Sequence, residues 1–349
     1  MTVRALAMAL GLLAASTAAA GAPADVDLGR KLFFDRRLSV NGTLSCAMCH
    51  LPQQAFSSIE LRTPVGIHGV SLRRTAPGLW NVGELPKLFW DGRSPSLEAQ
   101  ALEPLVHPEE MANPSIQAVV ARVAGLADYR APWRAAYGNR PPDGAALARA
   151  LATYQRTLVA RGSPLERHLA GERGALSPLA ERGWQRFNAL GCVRCHTPGP
   201  NAAFTDHGFH NTGVQARSRA RAEAPTEVEL IPGVRAMVSP TEYARFGAPF
   251  RPDEGRYEVT GAEADRRAFR TPGLRNVALS PPYMHDGSLA TLDAVLDHYA
   301  QGGWPADAAL SPLLRPLTLS ADDRAALKAL LEALTSPRAA AVQAGAATP

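Results

Sequence analysis

All four cysteines of the chain fall in two units of one pattern, Cys46-Ala47-Met48-Cys49-His50 and Cys192-Val193-Arg194-Cys195-His196. Thiols at this spacing can add across the two vinyl groups of a haem, and an imidazole directly after them can bind its iron. Each unit therefore reads as a covalent c-type haem site: Cys46, Cys49 and His50 for one, Cys192, Cys195 and His196 for the other. Disulfides are the ordinary use of four cysteines in an exported chain. Confinement of every cysteine to two such units argues against both disulfide and zinc readings. Attachment is silent on purpose. Covalent haem serves electron transfer, gas binding and peroxide chemistry alike, and the sixth position on iron selects among them.

The elements leading into the two motifs are alike. Gly29 and Phe33 precede the first, Gly183 and Phe187 the second, and each pair stands four apart, on one face of a helix. Ser177 as N-cap and Pro178 at the first helical position start the second approach helix, whereas a turn-rich insertion over 39–45 separates the first from its cysteines. This pattern reads as a divergent internal duplication. Further helices are expected over 115–124 and over 145–160, where Leu147, Leu151, Tyr154 and Leu158 recur at helical spacing. Glycine-rich breaks at 162–164 and 171–174 mark a boundary, and 211–262 reads as a long loop. Two helices close the fold: 291–300, with Leu292, Val295, Leu296 and Tyr299 on one face and His298 about 100° away, and 320–334, opened by a Ser-Ala-Asp-Asp cap. Residues 335–349, rich in alanine, are expected to be disordered. The expected fold is mostly α: two cytochrome c-like haem domains, 23–165 and 166–334, joined with long irregular loops.

Over 349 residues, 46% hydrophobic and 20% charged types suffice for two cores. Residues 1–22 read as a secretory signal peptide cleaved near 20–24: Arg4 gives the positive start, and the apolar run from Ala5 to Ala15 is too short for a membrane span. An exported, periplasmic protein without stable membrane insertion follows. The net charge of +5 is mild, and its one basic run, Arg217, Arg219 and Arg221, reads as a solvated loop rather than a nucleic-acid footprint.

From Leu28 to Leu334 the chain resembles the bacterial di-haem cytochrome c peroxidase family, in its MauG-type branch. The landmarks are Leu32-Phe-Phe-Asp-Arg-Arg-Leu-Ser39, Phe89-Trp-Asp-Gly-Arg93, Leu97-Glu-Ala-Gln100, Pro108-Glu-Glu-Met111, Leu274-Arg-Asn-Val-Ala278 and Pro282-Tyr-Met-His-Asp-Gly287. The resemblance implies a peroxide-reactive haem on His50 and an electron-transfer haem on His196, with Trp90 between them. It places Gln100, Glu110 and Pro104 in the pocket over the first iron. There a carboxylate can carry the proton that O–O cleavage needs, and an amide can orient the peroxide. Glu109 would take the helix-start role common for such a glutamate. His68, in a glycine-flanked loop, matches a histidine that ligates the first iron at rest in many members and is dispensed with in MauG-type ones; both readings stand. Tyr299 occupies the sixth-ligand position of the second haem, with Met284 its rival. His207, His210 and His285 read as structural or near haem propionates.

Two departures matter. The family's calcium between the haems is held partly by an asparagine where this chain has Thr75, which weakens that expectation. The tryptophan that relays oxidation to a partner in tryptophylquinone synthesis is replaced by Leu190, with Trp184 one helical approach earlier, so that activity is not implied. The expected function is reaction with hydrogen peroxide, with electrons from a small cytochrome or cupredoxin donor or from an oxidised side chain of a protein substrate. The alternative is a non-catalytic di-haem electron carrier.

Overall fold

Glycine sets how closely the first helix can lie on its neighbour. In the computed structural model, which describes residues 22–58, 62–199, 203–224, 226–231, 233–238 and 252–348, α1 (Ala24–Phe34) turns Leu28, Gly29, Leu32 and Phe33 inward. Asp25 and Asp27 in its first turn and Lys31 in its last complement the helix dipole. The leader expected over 1–22 lies, but for Ala22, outside the described residues.

A single turn, α2 (Cys46–Cys49), carries the first motif. Three helices, α3 (Leu97–Val106), α4 (Ile116–Gly125) and α6 (Gly144–Arg156), each begin at a side-chain cap, from Ser96, Ser115 and Asp143 respectively, and α5 (Ala127–Tyr137) lies between the last two. Past α7 (Pro164–Leu169), opened by a Ser163–Glu166 capping box, α8 (Pro178–Ala189) starts at Ser177 as expected and leads into the second motif, on a 3-10 turn. The chain continues through β1 (Phe209–His210), α9 (Val214–Glu223), β2 (Thr226–Ile231), β3 (Val234–Val238), α10 (Tyr257–Thr260), β4 (Phe269–Arg270), α11 (Leu292–Ala300), α12 (Ala321–Glu332) and α13 (Pro337–Gln343). The strands form two antiparallel pairs, β1 with β4 and β2 with β3. The protein is mostly helical. Among the described residues no helix is long and apolar enough to cross a membrane.

Two buried clusters result. One gathers residues such as Leu28, Phe33, Phe56, Leu147 and Tyr154; the other gathers Phe187, Phe204, Leu274, Leu296 and Leu330. In each, one glycine lets the approach helix touch a partner backbone, α1 on α6 and α8 on α12. A Cβ on Gly29 would lie 1.9 Å from the Ala150 carbonyl oxygen and 2.9 Å from Tyr154 Cβ; one on Gly183 would lie 2.1 Å from the Ala326 oxygen and 2.9 Å from Leu330 Cβ. Gly29→Ala and Gly183→Ala should each cost about 1–3 kcal/mol through overpacking, seen as a lower thermal midpoint. Gly125→Ala, which meets nothing within 4 Å, should not lower it; equal effects at all three sites would refute the crossing argument.

Two sequence expectations are corrected. The tail does not lack structure: Ser336 caps α13, Pro337 opens it, and Ala339 and Val342 are buried against the first cluster. Arg338 anchors it by donating to the carbonyls of Thr157 (3.2 Å) and Val159 (3.0 Å). Nor is 211–262 all loop, since it contains α9, the β2–β3 hairpin and α10; residues 239–251 of that stretch lie outside the described residues. The side that α9 buries, Val214, Gln215 and Ser218, is mostly polar, so it carries no apolar period to read. Arg217, Arg219 and Arg221 lie on this helix rather than on a loop.

Polar contacts join the regions around the two clusters. Arg74 donates to Asp253 at 2.7 Å, Arg62 to Asp286 at 2.9 Å, and the Thr75 amide to the His285 carbonyl at 2.7 Å. They hold Arg62 and the segment 74–75 against residues 253–286.

Candidate active site

Both motif histidines are held in the same way. His50 Nδ1 lies 2.8 Å from the Phe56 carbonyl oxygen, and His196 Nδ1 lies 3.1 Å from that of Phe204. Phe56 and Phe204 adopt left-handed backbone, φ 57° and 54°, which turns each carbonyl back towards its ring. With Nδ1–H donating, Nε2 is the nitrogen available to a metal, and the carbonyl fixes the ring's orientation. Burial pushes both imidazole pKa values down against the opposing pull of these carbonyls. Burial thus favours the neutral imidazole at both places. The four motif cysteines are unpaired, as thioether attachment requires. These residues fit two c-type haems.

A cavity of about 700 Å³ lies beside His50 and Cys49. Gln100 and Pro104, four apart on α3, share its wall with Glu110. The same three residues border a smaller space of about 70 Å³ that also touches Cys46, Cys49 and His50. Glu110 follows α3 on a turn whose amide bonds the His107 carbonyl at 3.0 Å. Burial raises its carboxyl pKa; the charges of His107 and Arg93 oppose the rise, and those of Glu103 and Glu109 reinforce it. Its Oε1 lies 3.9 Å from His107 Nδ1. Glu109 begins no helix, because α3 ends at Val106 and α4 starts only at Ile116.

The loop bearing His68 is clamped to that turn. The Ile67 amide donates to the Glu110 carbonyl at 3.1 Å, and a Cβ on Gly66 would lie 1.6 Å from the Glu109 oxygen. Gly66 thus serves close packing rather than motion. His68 stands exposed at the tip and lines none of these cavities. The histidine that does line the cavity beside His50 is His107.

Trp90 donates from Nε1 to the Thr75 carbonyl at 3.0 Å and borders both the large cavity and a second one of about 160 Å³. Met284 lines the second cavity, and its carbonyl accepts from Thr75 Oγ1 at 3.3 Å. Tyr299 lines none of these cavities. Burial pushes its hydroxyl pKa up, and the neighbouring Cys195 and Cys192 add to the rise, which sets it against the second motif. His298, on the adjacent face of α11, is itself 1% exposed, so this helix buries two of its sides. His285 stacks on Phe269 with ring centroids 3.5 Å apart. His210 pairs with Asp206 at 2.9 Å beside Cys195, and His207 lines the second cavity.

Sequence reasoning missed His107 and Arg270. The first stands only three residues before Glu110. The signal for the second was a repeat: Arg74-Thr75-Ala76-Pro77-Gly78-Leu79 recurs as Arg270-Thr271-Pro272-Gly273-Leu274. The repeat continues in structure. Leu88 bridges Ser94 as Tyr283 bridges Leu289, and Phe89 and Met284 share a left-handed backbone, φ 65° and 71°. His285 therefore occupies in one half the place of Trp90 in the other.

Calcium does not fit well between the motifs. Among the described residues the 160 Å³ cavity has one carboxylate, Glu84, already bound to Arg161 and Arg275. The Thr75 carbonyl is taken by Trp90, and Arg270 shares the lining. Hard anionic oxygen donors are lacking, and no calcium site is assigned.

A profile described as di-haem cytochrome c peroxidase matches residues 23–174. The methylamine utilization protein MauG of Methylorubrum extorquens is 37% identical over 91% of this chain and 80% of its own length. Among solved structures, a MauG-like protein associated with microbial copper homeostasis superposes with a TM-score of 0.73 at 32% identity, over 90% of both chains. The diheme peroxidase BthA from Burkholderia thailandensis gives 0.71 at 25% identity, over 90% of this chain and 87% of its own. The chain belongs to the di-haem cytochrome c peroxidase family. It is an oxidoreductase of two haems that reacts with peroxide.

Proposed function

We propose that Cys46, Cys49 and His50 would hold one haem and Cys192, Cys195 and His196 another, and that peroxide reacts on the His50 side. The observation that carries this reading is the convergence of Gln100, Pro104 and Glu110 on the cavity beside His50, with Trp90 in the wall shared with the next cavity. When bound, the haem at His50 supplies a redox-active iron able to bind and reduce peroxide. The chain's own residues do the rest. The Glu110 carboxylate takes a proton from the inner peroxide oxygen and returns it to the outer one, which leaves as water. The Gln100 amide orients that oxygen. Phe56 fixes the His50 ring through Nδ1–H, and His107 and Arg93 keep the Glu110 carboxylate accessible against its burial.

On the second side Tyr299, together with His196, would hold the haem iron. A phenolate is a hard anionic donor, so it lowers the potential and favours oxidised iron, whereas Met284 would raise it. Met284 points its backbone carbonyl at Thr75 and lines the other cavity, which supports Tyr299. Peroxide needs two electrons and two protons to become two waters. Their source is a small cytochrome or cupredoxin donor or, as Tyr299 favours, an oxidisable side chain of a protein substrate. The leader-like composition of residues 1–22 supports a periplasmic setting for this chemistry.

Low-temperature EPR of the oxidised protein tests the ligand set. A high-spin first iron with an open position and a low-spin histidine–tyrosinate second iron are expected. A bis-histidine signal would restore His68 as a ligand, and a histidine–methionine signal would remove Tyr299. Trp90→Leu should leave the spectral response of the first haem intact and slow electron delivery from the second at least tenfold, measured by stopped-flow after pre-reduction. Unchanged delivery would take Trp90 out of the path.

A further inference from the structure

Arg270 is 5% exposed, yet among the described residues no carboxylate meets it. Its counterpart in the sequence repeat, Arg74, is bound by both Asp91 and Asp253. Among the described residues Arg270 has a long side-chain contact, from Nε to the Phe89 carbonyl at 3.4 Å, and its buried Nη1 has no partner. Burial alone lowers its pKa, to about 10, with no acidic group opposing the fall. A buried cation without a counter-charge is unfavourable, and an anion at this place would relieve it.

The surroundings identify its chemistry. Arg270 lines both the 700 Å³ and the 160 Å³ cavities. Its backbone is fixed there, since its amide donates to the Trp90 carbonyl at 2.8 Å and β4 pairs with β1. His207, also in the lining of the smaller cavity, has a buried Nδ1 without a partner and lies close enough to feel the Arg270 charge. Two nitrogen groups therefore face a cavity whose one described carboxylate, Glu84, is already engaged. A guanidinium presents a planar fork that matches a carboxylate.

Resting on the haem attachment proposed above, we infer that Arg270, assisted by His207, is a carboxylate-binding site between the two motifs and that its occupant is a haem propionate. Arg270 is then a positioning residue: it neutralises propionate charge beside Trp90 and holds up the potential of the haem it touches.

A crystal structure of the haem-loaded wild-type protein, read together with redox titrations of Arg270→Gln and Arg270→Lys, tests this. An Arg270 guanidinium nitrogen is expected within about 4 Å of a propionate oxygen, the usual ion-pair limit. Arg270→Gln should lower the midpoint potential of at least one haem, and Arg270→Lys should retain most of the wild-type value. A structure in which Arg270 binds a side-chain carboxylate, a free carboxylate from solution or water alone would overturn the inference, as would Arg270→Gln potentials identical to wild type. Should Arg270→Gln fail to accumulate, the wild-type crystal structure decides. Haem content by pyridine haemochrome separates the two readings: fewer than two haems defeats the attachment proposal and this one with it, whereas two haems with Arg270 paired elsewhere defeats this one only.

Discussion

Replacing Glu110 by glutamine should slow the reaction with one equivalent of peroxide by about 10²–10⁴-fold, the usual scale for losing a general acid–base group. Glutamine keeps the size and one hydrogen-bonding oxygen but cannot carry a proton. Haem content and the resting spectrum should therefore stay as in wild type, which separates a chemical loss from a folding one. The pH dependence gives a second handle. Burial raises the Glu110 pKa, and the carboxylate is the form that accepts the first proton. The wild-type rate should accordingly climb with pH through a midpoint above the ordinary value of about 4.3. In Glu110→Gln that limb should vanish. His107 and Arg93 favour the carboxylate, so His107→Ala should move the limb to higher pH. A glutamine variant as fast as wild type would show that the proton moves by another path.

Tyr299→Met should raise the potential of the second haem by a substantial part of the roughly 0.8 V range that axial ligands command. The substitution exchanges a hard anionic oxygen for a neutral thioether, which stabilises reduced iron. Tyr299 is the α11 residue set against Cys192 and Cys195, so methionine there can reach the same iron. The variant should show a histidine–methionine EPR signal and, after peroxide, confine the spectral change to the first haem. Tyr299→Phe, which offers no ligand, should leave that iron high-spin. If Tyr299→Met keeps the wild-type potential, the ligand lies elsewhere and Met284 becomes the candidate to replace.

The attachment residues and the paired approach helices were legible because local spacing alone carries them. Gly29 and Gly183 stood out as a repeat, but only the structure shows that each meets a carbonyl at a helix crossing. The tail was misread because its alanines suggested low complexity, although Ser336-Pro337 is the same start signal that correctly placed α8 at Ser177-Pro178. What decides it is burial of Ala339 and Val342 on a core more than a hundred residues distant in sequence, which no local window reports. Helix α9 escaped for the opposite reason, having a polar buried face. Within the site, Glu110 and Gln100 were found through resemblance. Their meeting depends on the turn after α3 and on the Gly66 contact, both long-range. Arg270 shows in the sequence as the counterpart of Arg74 in a repeat, but its lack of a carboxylate partner among the described residues leaves no mark there.

The most direct test of the account is stopped-flow mixing of the fully oxidised wild-type protein with one equivalent of hydrogen peroxide, without any donor. The account predicts a rapid change in the Soret band, with both haems altered together because Trp90 and Tyr299 let the second share the oxidation. An unchanged Soret band would contradict it and leave a di-haem electron carrier in its place.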